Sequence, residues 1–248
     1  MDMGIDLGLN VKLPPQNINY TEGAAQFVDF LKRLRRVQGF DVDWIAQMKE
    51  HGPKISLWHQ PDAYVQMFQE RYKDQTDGFN IWAWEESQSR EHPKLYDFDY
   101  DWQNQPLLTV DMLSGEIHHH HPDYGLQPQQ FIDMIDVITQ WKRPQHLRFG
   151  PLIYMRDHHP LDRAREGIGW MGWVPFALTP SDVPEAALVR EMNGGTLIVT
   201  QMEFWQAWPA HPDYSKTAIE RAQEVEVRLN LLGVLPTIVE LQRGDWGL

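Results

Sequence analysis

The stretch "ALVREMNGGTLIVTQ" (residues 187–201) constrains this chain more than any other. Two β-favouring runs flank Asn193-Gly194-Gly195, residues that accept the positive φ a tight hairpin turn demands. Antiparallel pairing is therefore expected. The neighbouring segments agree: "FNIWAWEE" (79–86), "DFDYDW" (97–102) and "LLTVDML" (107–113) read as strands, with Ser114-Gly115 as a turn after the third. "FGPLIYM" (149–155) and "IGWMGWVPFAL" (168–178) read as buried extended segments interrupted by Gly and Pro.

Helical periodicity brackets these strands. After a loose start through Pro14-Pro15, Thr21 is placed to cap a helix whose Ala24, Phe27, Val28, Leu31 and Leu34 form one stripe, with Gly39 as its stop. Pro61 opens a second helix, with Tyr64, Met67 and Phe68 at helical spacing. A third runs over 128–141, with Phe131, Ile135, Ile138 and Trp141 inward and Asp133 and Asp136 outward. The last runs over 215–232, with Ala218, Ile219, Ala222, Val225 and Leu229 on one face and Gly233 at its end. The pattern predicts an α+β fold: a single domain over 1–248, its core spanning about 20–240, with helices packed on a mainly antiparallel sheet.

Composition narrows the function classes. There is no cysteine, which excludes disulfides, thiolate catalysis and sulfur-ligated zinc. No run reaches the roughly 18 apolar residues of a membrane span. The first thirty residues, with acids among the apolar positions, carry no signal-peptide pattern, so a cytoplasmic protein is expected. Asp and Glu number 35 against 22 Lys and Arg, a net charge of −13. A field of that sign disfavours nucleic acid and anionic membranes as direct partners and favours a cationic protein.

Two clusters carry the chemistry. "EIHHHHPD" (116–123) looks like a metal site, and "RDHHPLD" (156–162) repeats its theme. In an extended segment His118 and His120 share one face and His119 and His121 the other. A catalytic zinc needs a third protein ligand, for which Asp111, Glu116, Asp123, His158 and His159 are the candidates. No phosphate loop, G-x-S-x-G elbow or H-E-x-x-H accompanies them, and the reading favours an exposed loop with no resident metal or cofactor. In "DFDYDW", Asp97, Asp99 and Asp101 line one side of a strand and Phe98, Tyr100 and Trp102 the other. Such a file of carboxylates is a solvated face, a surface for a basic partner, or a magnesium site. Glu85 and Glu86 extend it at the end of the preceding strand.

"GIGWMGWVPFAL" (167–178) and "DVPEAALVREMNGGTLIVTQMEFW" (182–205), with "FVDFLKRL" (27–34) and "GFDVDWI" (39–45), resemble the immunity protein 52 family of bacterial polymorphic toxin systems. The likeness runs from about residue 20 to 240, and Trp170 and Trp173 match its pattern. It implies a cytoplasmic α+β protein of the type VI secretion kind of toxin system. Such a protein binds and neutralises a cognate secreted toxin with a restriction-endonuclease-like nuclease domain. No catalytic motif comes with it, so no enzymatic activity is expected. A surface covering a nuclease's basic cleft gains by being acidic. Glu85, Glu86, Asp97, Asp99 and Asp101 are then the partner-binding candidates. The competing reading is a metal-dependent hydrolase using His118–His121 and nearby carboxylates.

Overall fold

The computed structural model describes residues 7–48, 52–74, 78–86, 94–102, 111–117, 127–244 and 246–247. In chain order they form β1 (Leu7–Leu13), α1 (Tyr20–Leu34), β2 (Trp44–Ala46), β3 (Ile55–Ser56), α2 (Pro61–Tyr72), β4 (Phe79–Glu86), β5 (Lys94–Trp102) and β6 (Asp111–Ile117). Then come α3 (Pro128–Trp141), β7 (His146–Pro151), a π-helical turn (Tyr154–His158), β8 (Met171–Val174), β9 (Leu188–Met192), β10 (Gly195–Val199), α4 (Lys216–Leu231) and α5 (Ile238–Gln242). All described strands join one sheet in the order β3-β2-β4-β5-β6-β1-β7-β8-β10-β9. Every neighbouring pair is antiparallel, as expected for this α+β fold.

β1 was read as loose chain, yet it lies mid-sheet between β6 and β7. Its alternation is the cause. Leu7, Leu9, Val11 and Leu13 are almost fully buried, leaving Asn10 and Lys12 to the other face. The buried face meets α1 and α3. Phe30 of α1 packs edge-on to Phe98 of β5 at 5.5 Å, and Phe131 of α3 lies 5.0 Å from Phe149 of β7. Each such aromatic stabilises the fold by about 1.5–3 kcal/mol relative to exposure. Trp170 and Trp173 are fully buried here, with indole N–H groups donating to the Gln201 and Met192 carbonyls.

Three local expectations are corrected. The cap of α1 is Asn19 rather than Thr21: its Oδ1 accepts from the Thr21 and Glu22 amides, and the Glu22 carboxylate accepts from the Asn19 amide in return. Ser114 and Gly115 do not turn the chain but lie inside β6, where Gly115 pairs with Leu9 and Phe98. A Cβ at 115 would stand 2.8 Å from the Phe98 ring, so the glycine serves packing. The extended reading of 149–155 fails after Pro151, where the chain enters the π-helical turn. The hairpin forms as expected. Asn193 (φ 51°) and Gly194 (φ 79°) supply the two positive-φ positions of a type I′ turn, closed by the Met192–Gly195 pair.

α4 covers the opposite face, but only over the β8–β10 end, where Val174, Val189 and Ile198 pack with its Val225 and Leu229. At the other end α2 lines the edge of β4. Its Tyr64 hydroxyl donates to the Trp82 carbonyl, and its Tyr72 hydroxyl bonds the Asn80 main chain, filling groups on the part of β4 that short β2 does not reach. Between these ends, the face opposite α1 and α3 over β5-β6-β1-β7 is a polar floor.

Candidate functional site

Residues opposite each other on neighbouring strands share a face, so the register assigns the floor of this groove directly. One row runs Asp99–Ser114–Asn10–Arg148 across β5, β6, β1 and β7. The next runs Asp101–Met112–Lys12–His146, and the one on the other side Asp97–Glu116–Gly8–Gly150. With strands about 4.8 Å apart, acids on β5 face cations on β1 and β7 across roughly 10–14 Å. Gly8 and Gly150 keep the last row shallow: a Cβ at 8 would meet Leu152 Cδ2 at 2.2 Å.

Two cavities open on this floor. One of about 320 Å³ is lined by Asn10, Asp97, Asp99, Ser114, Arg148 and Met155, among others. The second, about 650 Å³, shares Arg148 and Met155 with the first, so the two adjoin, and it extends to the segment after the π-helical turn. One acid of β5, Asp101, is partly buried and hydrogen-bonded. The Asp101 carboxylate accepts from Asn80 Nδ2 at 2.7 Å. Its pKa is raised by burial, partly offset by that bond.

The basic side is built around Glu166, a buried carboxylate. Arg148 Nη1 lies 2.9 Å from its Oε2 and Lys12 Nζ 3.8 Å from its Oε1. Burial pushes the Glu166 pKa upward, but Arg148, His146 and Lys12 outweigh it and hold it below the usual range. Lys12 is pushed down, chiefly by burial. His146, fully buried with no hydrogen-bond partner on either ring nitrogen, falls to about 4 and is neutral at pH 7.

A second buried carboxylate, Glu226 of α4, fixes the wall beyond. It accepts from the Tyr154 hydroxyl (2.9 Å), His159 Nδ1 (2.8 Å) and the Ile168 and Gly169 amides (2.8 and 2.9 Å). His159 Nε2 faces the Arg165 carbonyl at 3.1 Å, so both ring nitrogens face acceptors, an arrangement that favours the protonated imidazole. Burial opposes this, but the bond to Glu226, its charge and the Arg165 carbonyl raise the His159 pKa overall.

The sequence candidates separate on this map. Asp97, Asp99 and Asp101 do share one face. Glu85 does not join them: it pairs with Trp44 and alternates onto the helix-covered side with Ile81 and Ala83, because side chains along β4 alternate. Glu86 ends β4, its side chain outside the described residues. His118–His121 and Asp123 also lie outside them. His159, a metal-ligand candidate, has both nitrogens engaged by Glu226 and Arg165. Among the described residues no group of three or more His, Asp or Glu side chains is gathered to hold a metal.

Lys12, Arg148, Glu166 and Glu226 escaped the sequence reading. Two signals were present. Asn10 and Lys12 alternate with the aliphatics of β1, and Glu226 falls on the apolar stripe of α4 beside Val225 and Leu229. An acid on such a stripe is buried only with partners.

No family model matches the chain, and no curated protein matches it. Among solved structures it is similar in fold to "Pseudomonas aeruginosa T6SS protein PA0821", with a TM-score of 0.55 at 8% identity, over 90% of this chain and 73% of that one. Among the described residues no helix is long and apolar enough to cross a membrane.

Proposed function

We propose that this chain is an immunity protein, of the immunity protein 52 kind, that binds a cognate secreted toxin with a nuclease domain and blocks it in the cytoplasm of the producing cell. The observation that carries the reading is the file Asp97–Asp99–Asp101, held on one strand of a sheet face that no described helix covers there, in a chain with net charge −13. Acids fixed in that way meet the basic cleft of a nuclease without the entropy cost of ordering a loop. Likeness in fold to a Pseudomonas aeruginosa T6SS protein supports the same setting. Inhibition by occupancy needs no catalytic residue, cofactor or metal of the inhibitor's own.

The test is co-expression with the product of the adjacent gene. Co-purification and rescue of growth are expected. A neighbouring toxin that neither binds the chain nor is relieved by it sinks the proposal.

A further inference from the structure

The larger cavity carries a charge opposite to that of the molecule. Lys12, Arg148, Arg156, Arg163 and Arg165 line it against only Asp157 and Glu166. Both acids are already engaged: Asp157 receives Arg156 at 2.7 Å, and Glu166 holds Arg148 and Lys12. His159 is committed to Glu226. Cationic donors are left over. Arg148 Nε is buried with no hydrogen-bond partner. Exposed Arg163 makes neither hydrogen bond nor ion pair among the described residues.

A buried, unpaired guanidinium N–H costs free energy unless an acceptor arrives, and an Arg fork matches the two oxygens of a carboxylate. From the surplus of cations, the unengaged Arg163 and the shared wall, we infer that this cavity seats an acidic side chain, Asp or Glu, of the protein that docks on the sheet face. The inference rests on the reading of that face as a protein-docking surface. Adjacency to the acidic cavity decides between a carboxylate on a protein and a free small anion. Arg148 and Met155 form a wall common to this cavity and the one lined by Asp97 and Asp99. An occupant spanning both must be negative at one end and positive at the other, within roughly 10–14 Å by strand spacing. A protein surface provides such a pairing of residues, and a phosphate ion does not. The docking face is thus bipolar, and the pocket fixes the register in which the partner's basic patch meets β5.

The probes are a hexaglutamate peptide, inorganic phosphate and the adjacent gene's toxin, each added to the full chain. Arginine Nε–Hε signals are followed by NMR, and toxin affinity by surface binding. The variant is Arg156→Glu with Arg163→Glu, both exposed positions, its fold checked by circular dichroism; Arg163→Glu alone serves if the pair unfolds. The peptide is expected to shift the Arg148 signal in wild type, and the variant to weaken both peptide and toxin binding by about tenfold or more. Unchanged toxin affinity in a folded variant overturns the inference and leaves the immunity role intact. A response to phosphate with none to the peptide also overturns it, marking a small-anion site. If the peptide binds at Arg148 while wild type fails to bind the toxin, the carboxylate pocket stands and the immunity reading falls.

Discussion

Glu226 gives the sharpest test of the energetics. Its carboxylate is fully buried and receives four donors: the Tyr154 hydroxyl, His159 Nδ1 and the Ile168 and Gly169 amides. Glu226→Ala strands all four. Each buried donor left without an acceptor costs about 1–3 kcal/mol, and breaking a buried ion pair costs about 3–5 kcal/mol. These costs overlap, because the groups share one site and water can enter the space left behind. A net loss of about 5 kcal/mol is expected, a large share of a typical 5–15 kcal/mol of stability. An unfolding entropy of about 2.1 cal/mol/K per residue gives this chain roughly 0.5 kcal/mol/K, so Tm should fall by about 10 °C. Glu226→Gln keeps one acceptor oxygen and should lose about half as much.

The pH profile adds a second readout. His159 has a folded pKa raised above its ordinary 6.5. Its contribution is therefore fully present below about pH 6.5 and disappears as pH rises through the raised folded value. Wild type should lose stability over that window, measured by Tm from pH 5.5 to 8.5, and Glu226→Gln should show a flatter profile. A Tm drop under about 2 °C for Glu226→Ala at pH 6 would refute the argument, since it would mean the four donors find other acceptors at little cost.

Other perturbations probe different parts. Trp173→Ala removes a fully buried indole and its bond to the Met192 carbonyl, and should cost about 3–5 kcal/mol by thermal or urea denaturation. Asp97→Asn with Asp99→Asn should slow toxin association, most at low salt, as measured by binding kinetics across a salt series; Asp101 is better left in place because it is partly buried and holds Asn80. Replacing His118, His119, His120 and His121 with Ser should leave Tm and growth protection unchanged; loss of both, together with stoichiometric metal from protein never exposed to metal resin, would reverse that expectation.

The elements easiest to foresee were those whose own residues decide them. Asn193-Gly194 specifies its turn through two positive φ values, and Pro128 and Gly233 mark helix ends. β1 was hidden because Pro14-Pro15 follow it, although Leu7-x-Leu9-x-Val11-x-Leu13 alternates cleanly. Ser114-Gly115 misled for the converse reason. Glycine reads locally as a turn, but here it makes room for the Phe98 ring of the neighbouring strand, a tertiary fact absent from local pattern. The acidic half of the groove was legible because its carboxylates repeat every second residue on one strand. The basic half was not, since Lys12, Arg148, Arg163 and Glu166 come from three separate segments that meet only through register and the chain after the π-helical turn.

The two halves of the groove act over different ranges. The field of a −13 chain is felt by a partner before contact, but only within about 8 Å at physiological salt, so it governs encounter and fades as salt rises. On the proposed reading, the cavity beside Arg148 is more enclosed than the acidic file, is screened less, and would govern how long a complex lasts once formed. A purely acidic face would accept any basic surface, including those of the host cell's own nucleic-acid-binding proteins. A cationic pocket set a fixed distance from the acids repels most such surfaces and admits one that carries a carboxylate at the matching place. Selectivity of this kind comes from the repulsive element as much as from the attractive one, which would give an acidic protein a physical reason to keep an arginine-lined cavity in the docking face proposed above.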